Sequence, residues 1–470
     1  MLVMAKKRSP PDLSALTRGE LEGVVLTLWE RLEALESKVA KNSHNSSQPP
    51  SSDGLRKTNS LREPSGNLPS ARPGHKGNTL KRMAGPSRIE THQLPEQCDR
   101  CGCAQDQEAA EIAEQRQVID TPVVACVVVE HRVLALRCAC GQLLRSAFPA
   151  AVTQAVQYGP NVRALEVHLT QGQLLPFARA AQLITDLYDI AISPATLLAW
   201  VDEARVALQA TADAIADSLR AAPLVHADES GLRVQGKLHW LHVAANDSHT
   251  WYGVHAKRGM EAIAAQAILP RRLGVLIHDC WAPYWQLDGA HALCNAHLLR
   301  ELLYVKELTG ERWPARMSEL LLRANELCEA ARRQNIALGA AGAAALRTLY
   351  DAILAAGERR HPAKLKPDGK AGRVKQSVAF NLLLRLRRYA DAVLLFVSDP
   401  AVPFTNNLGE RAIRMPKVKQ KISGSFRTLL GAQNFCVIRS CLDTLRKQGH
   451  GMLAVLRRAF AGNPIQPARG

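Results

Sequence analysis

Three acidic side chains, Asp228, Asp279 and Glu410, lie in sequence surroundings that suit phosphoryl transfer. Displacement at a phosphodiester builds negative charge on a pentacoordinate phosphorus. A pair of divalent cations can activate the attacking oxygen and stabilise the leaving one. Hard cations of this kind take oxygen ligands, so their site needs clustered carboxylates. Asp228 closes the strand-like segment in PLVHADES, and Asp279 closes the strand-like GVLIHD. Glu229 is the rival of Asp228, but strand alternation sends the two side chains to opposite faces. The register from Leu224 favours Asp228. Glu410 lies in TNNLGERAIRMPKVKQKISGSFR, read as a helix capped by Asn406 or Asn407 that breaks near Pro416. From Gly409 to Arg427 this segment holds six basic residues, Arg411, Arg414, Lys417, Lys419, Lys421 and Arg427, against Glu410 as its one acid. A lone acid in such a run is unusual for a solvated face. Arg414 falls one helical turn beyond Glu410, and Lys417 shares its face if the helix runs that far. Both are placed to grip a phosphate backbone, with the other four as further nucleic-acid contacts.

A second chemistry belongs to cysteine. Cys98 and Cys101 form a CxxC knuckle, and a β-rich stretch, QRQVIDTPVVACVVVEHRVLALRCAC, ends in Cys138 and Cys140. Two close pairs separated by strands can supply four thiolates to a tetrahedral structural zinc. The second pair is CxC, and Cys103 competes as a ligand. Cys294 and His297, in CNAHLLREL, have a metal-compatible spacing but make only two ligands. They are read as a buried strand-to-helix junction, with His297 or Arg300 facing the active site.

The elements that must position these groups follow from periodicity. Across 221–300 the order is strand, strand, strand, helix, strand, with HALCNAH as a further strand. That order matches an α/β ribonuclease-H-like catalytic core, a mixed sheet flanked by helices, with carboxylates side by side on its first and fourth strands. Residues 301–398 read as an α-helical insertion divided by the basic loop ERRHPAKLKPDGKAGRVK. Residues 399–448 carry the glutamate helix and its basic run, and 449–470 form a weakly patterned C-terminal tail. Upstream, 1–41 holds a helix with Leu21, Val25, Leu28, Leu32, Leu35 and Val39 at alternating spacings of four and three, a short coiled-coil seam. Residues 42–90 are a Ser-, Asn-, Pro- and Gly-rich flexible linker. Residues 91–148 are the small zinc-binding β module. Residues 149–220 are helical, and the turn DIAIS between Phe177–Leu187 and a helix opened by Ser193 and Pro194 gives a helix-turn-helix pattern for DNA binding.

Composition narrows the partner. The chain has 470 residues and 47% hydrophobic content, enough for several domains with a real core. Its 60 basic and 43 acidic residues leave a net charge of +17. That charge suits a polyanion, nucleic acid before an acidic membrane surface. Charges interrupt every apolar stretch before bilayer length, and no signal core follows the first basic pair, so a cytoplasmic protein with no membrane partner is expected. Eleven cysteines are too sparse and irregular for a secreted disulfide framework.

In order along the chain, NSSQPPSSD after a leucine-spaced helix, RPGHKG, the cysteine module, HADES, HDCWAPYW, CNAHLLREL and NNLGERAIRMPKVKQKISGS resemble the insertion-sequence-66 family of bacterial transposases. The ordered set covers nearly the whole chain and is specific where no single motif is. The resemblance implies a DDE transposase with Asp228, Asp279 and Glu410 as its acidic triad, two magnesium (or manganese) ions, and Lys417 as the basic position after the glutamate. It implies zinc at Cys98, Cys101, Cys138 and Cys140. It also implies binding to the element's terminal inverted repeats and to target DNA, homo-oligomerisation, small accessory proteins of the same element, and a nucleoid-associated location. The expected reaction is hydrolysis at the element end, freeing a 3′ hydroxyl that attacks target DNA directly, without a covalent protein–DNA intermediate. Two other readings fit the same residues. One is a ribonuclease-H-like nuclease that cuts without joining. The other is a non-catalytic, zinc-containing DNA-binding protein.

Overall fold

The computed structural model describes residues 17–39, 45, 82, 84–104, 106–119, 126–365 and 374–468. Most of the polar linker, and residues 366–373 of the basic loop, lie outside them. The chain divides into two compact units, Met1–Ser60 with Glu130–Gly470, and Leu61–Val129.

In the larger unit, α1 (Arg18–Val39) starts with a reciprocal cap. Thr17 N–H donates to Glu20 at 2.8 Å, and Glu20 N–H donates back to Thr17 Oγ1 at 3.4 Å. Val25, Leu28 and Leu32 of its apolar seam are exposed. The expected β module is mostly irregular. Its regular part in this unit is the hairpin of β1 (Ala135–Arg137) and β2 (Leu143–Arg145), with every residue exposed. An alternating pattern specifies a strand only where one face has something to pack against, and here neither does.

The helices α2 (Pro160–Val167), α3 (Phe177–Tyr188) and α4 (Pro194–Ala221) follow. Ser193 Oγ accepts from Thr196 N–H at 3.1 Å, the expected cap of α4. Leu197, Ala204, Leu208, Ile215 and Leu219 recur at helical spacing along α4 and are buried.

A five-stranded mixed sheet forms the centre, in the order β5-β4-β3-β6-β7. Its strands are β3 (Leu224–Val234), β4 (Lys237–Ala245), β5 (Thr250–His255), β6 (Val275–His278) and β7 (His291–Leu293). β3, β4 and β5 form an antiparallel meander, whereas β6 runs parallel to β3 and β7 parallel to β6. The helix α5 (Met260–Gln266) makes the crossover from β5 to β6. β3 does not end at Asp228 as expected but runs on to Val234, because its pairing with β4 continues after its pairing with β6 stops at His226. Its side chains alternate: Val225 and Ala227 join the core with α4, while Leu232 and Val234 pack on the other side.

The helical insertion comprises α6 (Asn295–Thr309), α7 (Trp313–Arg333), α8 (Ala340–Arg360), α9 (Val378–Arg388) and α10 (Ala390–Ser398). They close on their own core around Leu302, Met317, Leu321, Tyr350 and Leu386, which is continuous with Ile277 and Leu293 of the sheet. Three more helices complete the unit, α11 (Asn407–Ser423), α12 (Leu429–Lys447) and α13 (Met452–Phe460).

α11 does not break at Pro416. Proline removes the donor for the carbonyl four residues back, that of Ala412. The Tyr252 hydroxyl lies 3.0 Å from that carbonyl and supplies a donor from the sheet. α12 covers the outer edge of β5. Ser440 and Thr444 hydroxyls accept the Tyr252 and Thr250 N–H groups at 2.9 Å, satisfying an edge that otherwise invites pairing with another chain. The segment after Gly449, expected to be a tail, is the helix α13, whose Val455, Leu456 and Ala459 are buried against α2 and α4.

In the smaller unit, Cys98 N–H donates to Cys103 O at 2.9 Å and Gly102 N–H to Cys98 O at 2.8 Å, with Gly102 at a φ of +72°. Cys138 and Cys140 of the larger unit form a comparable turn. There Cys138 N–H donates to Gln142 O and Gly141 N–H to Cys138 O, both at 2.8 Å, with Gly141 at +87°. Only a residue without a Cβ adopts these angles without strain. No helix among the described residues is long and apolar enough to cross a membrane.

Candidate active site

Val225 pairs with Leu276 and His226 with Ile277, and each aspartate follows the last of these pairs by two residues, Asp228 still on β3 and Asp279 just past the end of β6. Asp228 is held by Glu229 N–H, which donates to its Oδ1 at 2.8 Å. Asp279 follows the last residue of β6 and accepts Trp281 N–H at 3.0 Å. Between them Cys280 has a φ of +74°, a left-handed conformation that costs a non-glycine residue on the order of 1 kcal/mol. That bend turns the chain into the loop carrying Trp281 and Tyr284.

Glu410 reaches this place through Asn406. The residue is 1% exposed and precedes α11, yet its side chain does not cap the helix. Its amide N–H₂ donates to Ala227 O at 2.8 Å, and its Oδ1 lies 2.9 Å from His226 Nδ1. Because the amide nitrogen is committed to a carbonyl, Oδ1 is the acceptor and His226 carries its proton on Nδ1. Asn406 therefore staples the first turn of α11, including Glu410, to the strand residues just before Asp228. Lys417, two turns on, donates to Gly231 O at 3.0 Å, as does Gln420.

Burial pushes the Asp228 carboxyl well above the usual range, reinforced by the negative charges of Glu229, Asp279 and Glu410. Burial also raises Asp279, against the pull of Trp281 N–H and the Arg258 cation. A cation bound beside such groups would lower the cost of their charges. Burial lowers the Lys417 pKa, against the pull of the Asp228 charge.

Glu229 faces the opposite side of the sheet, as alternation requires. Its Oε1 accepts Arg258 at 2.6 and 3.0 Å, and its Oε2 accepts the Tyr284 hydroxyl at 2.5 Å. Arg258 lies over the rings of Trp281 at 4.3 Å and Trp240 at 4.8 Å. Glu229 is thus spent on a fixed ion pair, which leaves Asp228 as the strand carboxylate facing Glu410. These partners lie 29 and 55 residues from Glu229, and no local spacing announces them.

Glu410 Oε1 has two close neighbours, Cys294 Sγ at 3.6 Å and His297 Nδ1 at 3.5 Å. Among the described residues these three form the group of potential metal ligands whose atoms all lie within 4.8 Å of one another. Burial holds the His297 imidazole neutral, its pKa lowered to about 3, and pushes the Cys294 thiol up to about 12. Arg411, Arg414, Lys421 and Arg427 are exposed. Lys419 differs: its ammonium lies over the rings of Phe426 and Phe435 at 5.6 and 5.4 Å, and burial lowers its pKa to about 8. In the cysteine turns, backbone N–H groups of Arg100 and Cys101 lower the Cys98 pKa, and that of Cys140 does the same for Cys138.

A family model described as Transposase IS66 family matches residues 155–434, a span that contains Asp228, Asp279 and Glu410. A second, described only as a family of unknown function, matches residues 8–91. No curated protein matches the chain.

Proposed function

Because this chain belongs to the IS66 family of transposases, we propose that it cuts DNA at the ends of an insertion element and joins the freed 3′ hydroxyl to target DNA, using Asp228, Asp279 and Glu410. The observation that carries the reading is that Asp228 and Asp279 each follow the last β3–β6 pair by two residues, while Asn406 ties the first turn of α11, which carries Glu410, to Ala227. The sheet order, with a three-strand antiparallel meander and two further parallel strands, supports a ribonuclease-H-like core.

Two magnesium or manganese ions, when bound, would supply Lewis acidity at the attacking and leaving oxygens. The three carboxylates would hold them. Burial raises the carboxyls of Asp228 and Asp279, and a cation beside them would offset that cost, which fits the role. Lys417 and Arg414 position phosphates in this reading, and Arg411, Lys421 and Arg427 extend the basic surface along the DNA. Lys419, laid against two rings, orders the segment after α11. DNA is the partner, with self-association through α1 and accessory proteins as parts of the same proposal. A structural zinc role stays with the cysteine knuckles, each taken by itself: both turns direct backbone N–H groups at a thiol, the arrangement that stabilises a thiolate ligand.

The test is strand transfer in magnesium, with a labelled duplex carrying the inverted repeat that flanks the gene and a plasmid target. Wild type is expected to cleave and join. D228N, D279N and E410Q are each expected to lose at least about 10³-fold, the loss of roughly 4 kcal/mol of transition-state stabilisation. Cleavage without joining would favour the nuclease reading. Binding with no cleavage by wild type would favour a non-catalytic DNA-binding protein.

A further inference from the structure

We propose that Cys294, His297 and Glu410 form a second cation site, suited to zinc rather than magnesium, that shares Glu410 with the aspartates. The three ligand atoms cluster within 4.8 Å, at separations of 3.6 Å for sulfur to carboxylate oxygen and 3.5 Å for imidazole nitrogen to the same oxygen. The nitrogen contact is too long for an N–H···O hydrogen bond, whose usual length is about 2.9 Å. His297 Nδ1 is in fact buried without a hydrogen-bond partner. Both separations suit the edges of one tetrahedron: bonds of about 2.3 Å to sulfur and about 2.0–2.2 Å to nitrogen and oxygen place ligand atoms about 3.4–3.6 Å apart.

The donor chemistry agrees. A thiolate, an imidazole and a carboxylate select a borderline-soft ion, whereas magnesium keeps to oxygen. Burial opposes a free thiolate at Cys294, so the thiol gives up its proton only as the cation binds, and two features then support the thiolate ligand. Cys294 precedes the first residue of α6, at the positive end of the helix, and Asn406 N–H donates to its sulfur at 3.1 Å. Glu410 is 31% exposed, so the fourth position opens to water. The site stands on Cys294, His297 and Glu410 alone. Its consequence, that zinc and the catalytic ions compete for one carboxylate, rests on the proposed function.

The experiment is zinc content per full-length chain after equilibration with a zinc buffer and removal of loosely bound metal. Wild type is expected to hold one equivalent more than C294A or H297A, whatever the cysteine knuckles retain, because those are the same in all three. D228N and D279N should hold the wild-type number, so a failed catalytic reading leaves this count unchanged. C294S, closest in size, separates ligand loss from misfolding. With cobalt in place of zinc, the difference spectrum of wild type minus C294S should carry a thiolate-to-cobalt charge-transfer band. Equal zinc content in wild type, C294S and H297A, or no such band, would overturn the site.

Discussion

Asp228 carries a charge that its surroundings resist. Burial raises its carboxyl and that of Asp279, and neighbouring acids raise Asp228 further. A folded-state pKa above the unfolded one means that the folded chain binds more protons within that window. The contribution to stability is therefore present below the unfolded carboxylate range, about pH 4, and is lost as pH rises through the raised values. D228N should thus raise the melting temperature of the metal-free protein at neutral pH, by roughly 1–2 kcal/mol of stability. It should also abolish the further stabilisation that magnesium gives wild type. Thermal melts with and without magnesium from pH 5 to 8 check both, and wild-type metal affinity should strengthen as pH rises. A D228N protein that is less stable than wild type and still responds to magnesium would count against the site. The three acids stand out in the sequence because each sits in a motif with local logic: an aspartate after each of two apolar strand-like runs, and a lone acid in a basic run. Asn406, Arg258 and Tyr284 do not. Asn406 reads locally as a helix cap, and only the tertiary approach of β3 diverts its side chain to Ala227 and His226.

Elements were legible where a long apolar period met a buried face. β4, β5, α4 and the insertion helices fall close to where periodicity puts them. The failures have separate causes. β3 was stopped at Asp228 because a polar HADES sequence hides the continuing ladder with β4. Residues 126–148 alternate like strands but have little to pack against. α11 was broken at Pro416 because the rescuing donor, Tyr252, lies 160 residues away from Ala412. Y252F should therefore cost about 1–3 kcal/mol by removing the one proton that the Ala412 carbonyl and the Asp443 carboxylate share. It should loosen α11 and α12 together, since the same hydroxyl also reaches Asp443 at 2.7 Å. Denaturant unfolding gives the cost, and faster amide exchange across 407–423 locates it. Unchanged exchange there would mean that α11 passes its proline without help from the sheet.

For the whole molecule the relevant quantity is its charge of +17. DNA affinity should fall steeply with salt, because each neutralised phosphate releases condensed counterions. R414A, at an exposed position on α11, should lower the slope of log affinity against log salt by about 1. K419A should leave that slope alone and reduce stability instead, because its ammonium rests on Phe426 and Phe435. Equal slope changes in the two variants would place Lys419 on the DNA. Val25, Leu28 and Leu32 of α1 are exposed, and in the proposed function they are the surface for self-association.

The central claim concerns where divalent ions sit once DNA is present, and anomalous diffraction from a manganese complex with the terminal-repeat duplex reads that directly. Two peaks about 3.5–4 Å apart, bounded by Asp228, Asp279 and Glu410 and lost in D279N, are predicted. Manganese bound elsewhere, or Glu410 still turned onto Cys294 and His297 with DNA and ions in place, would contradict it.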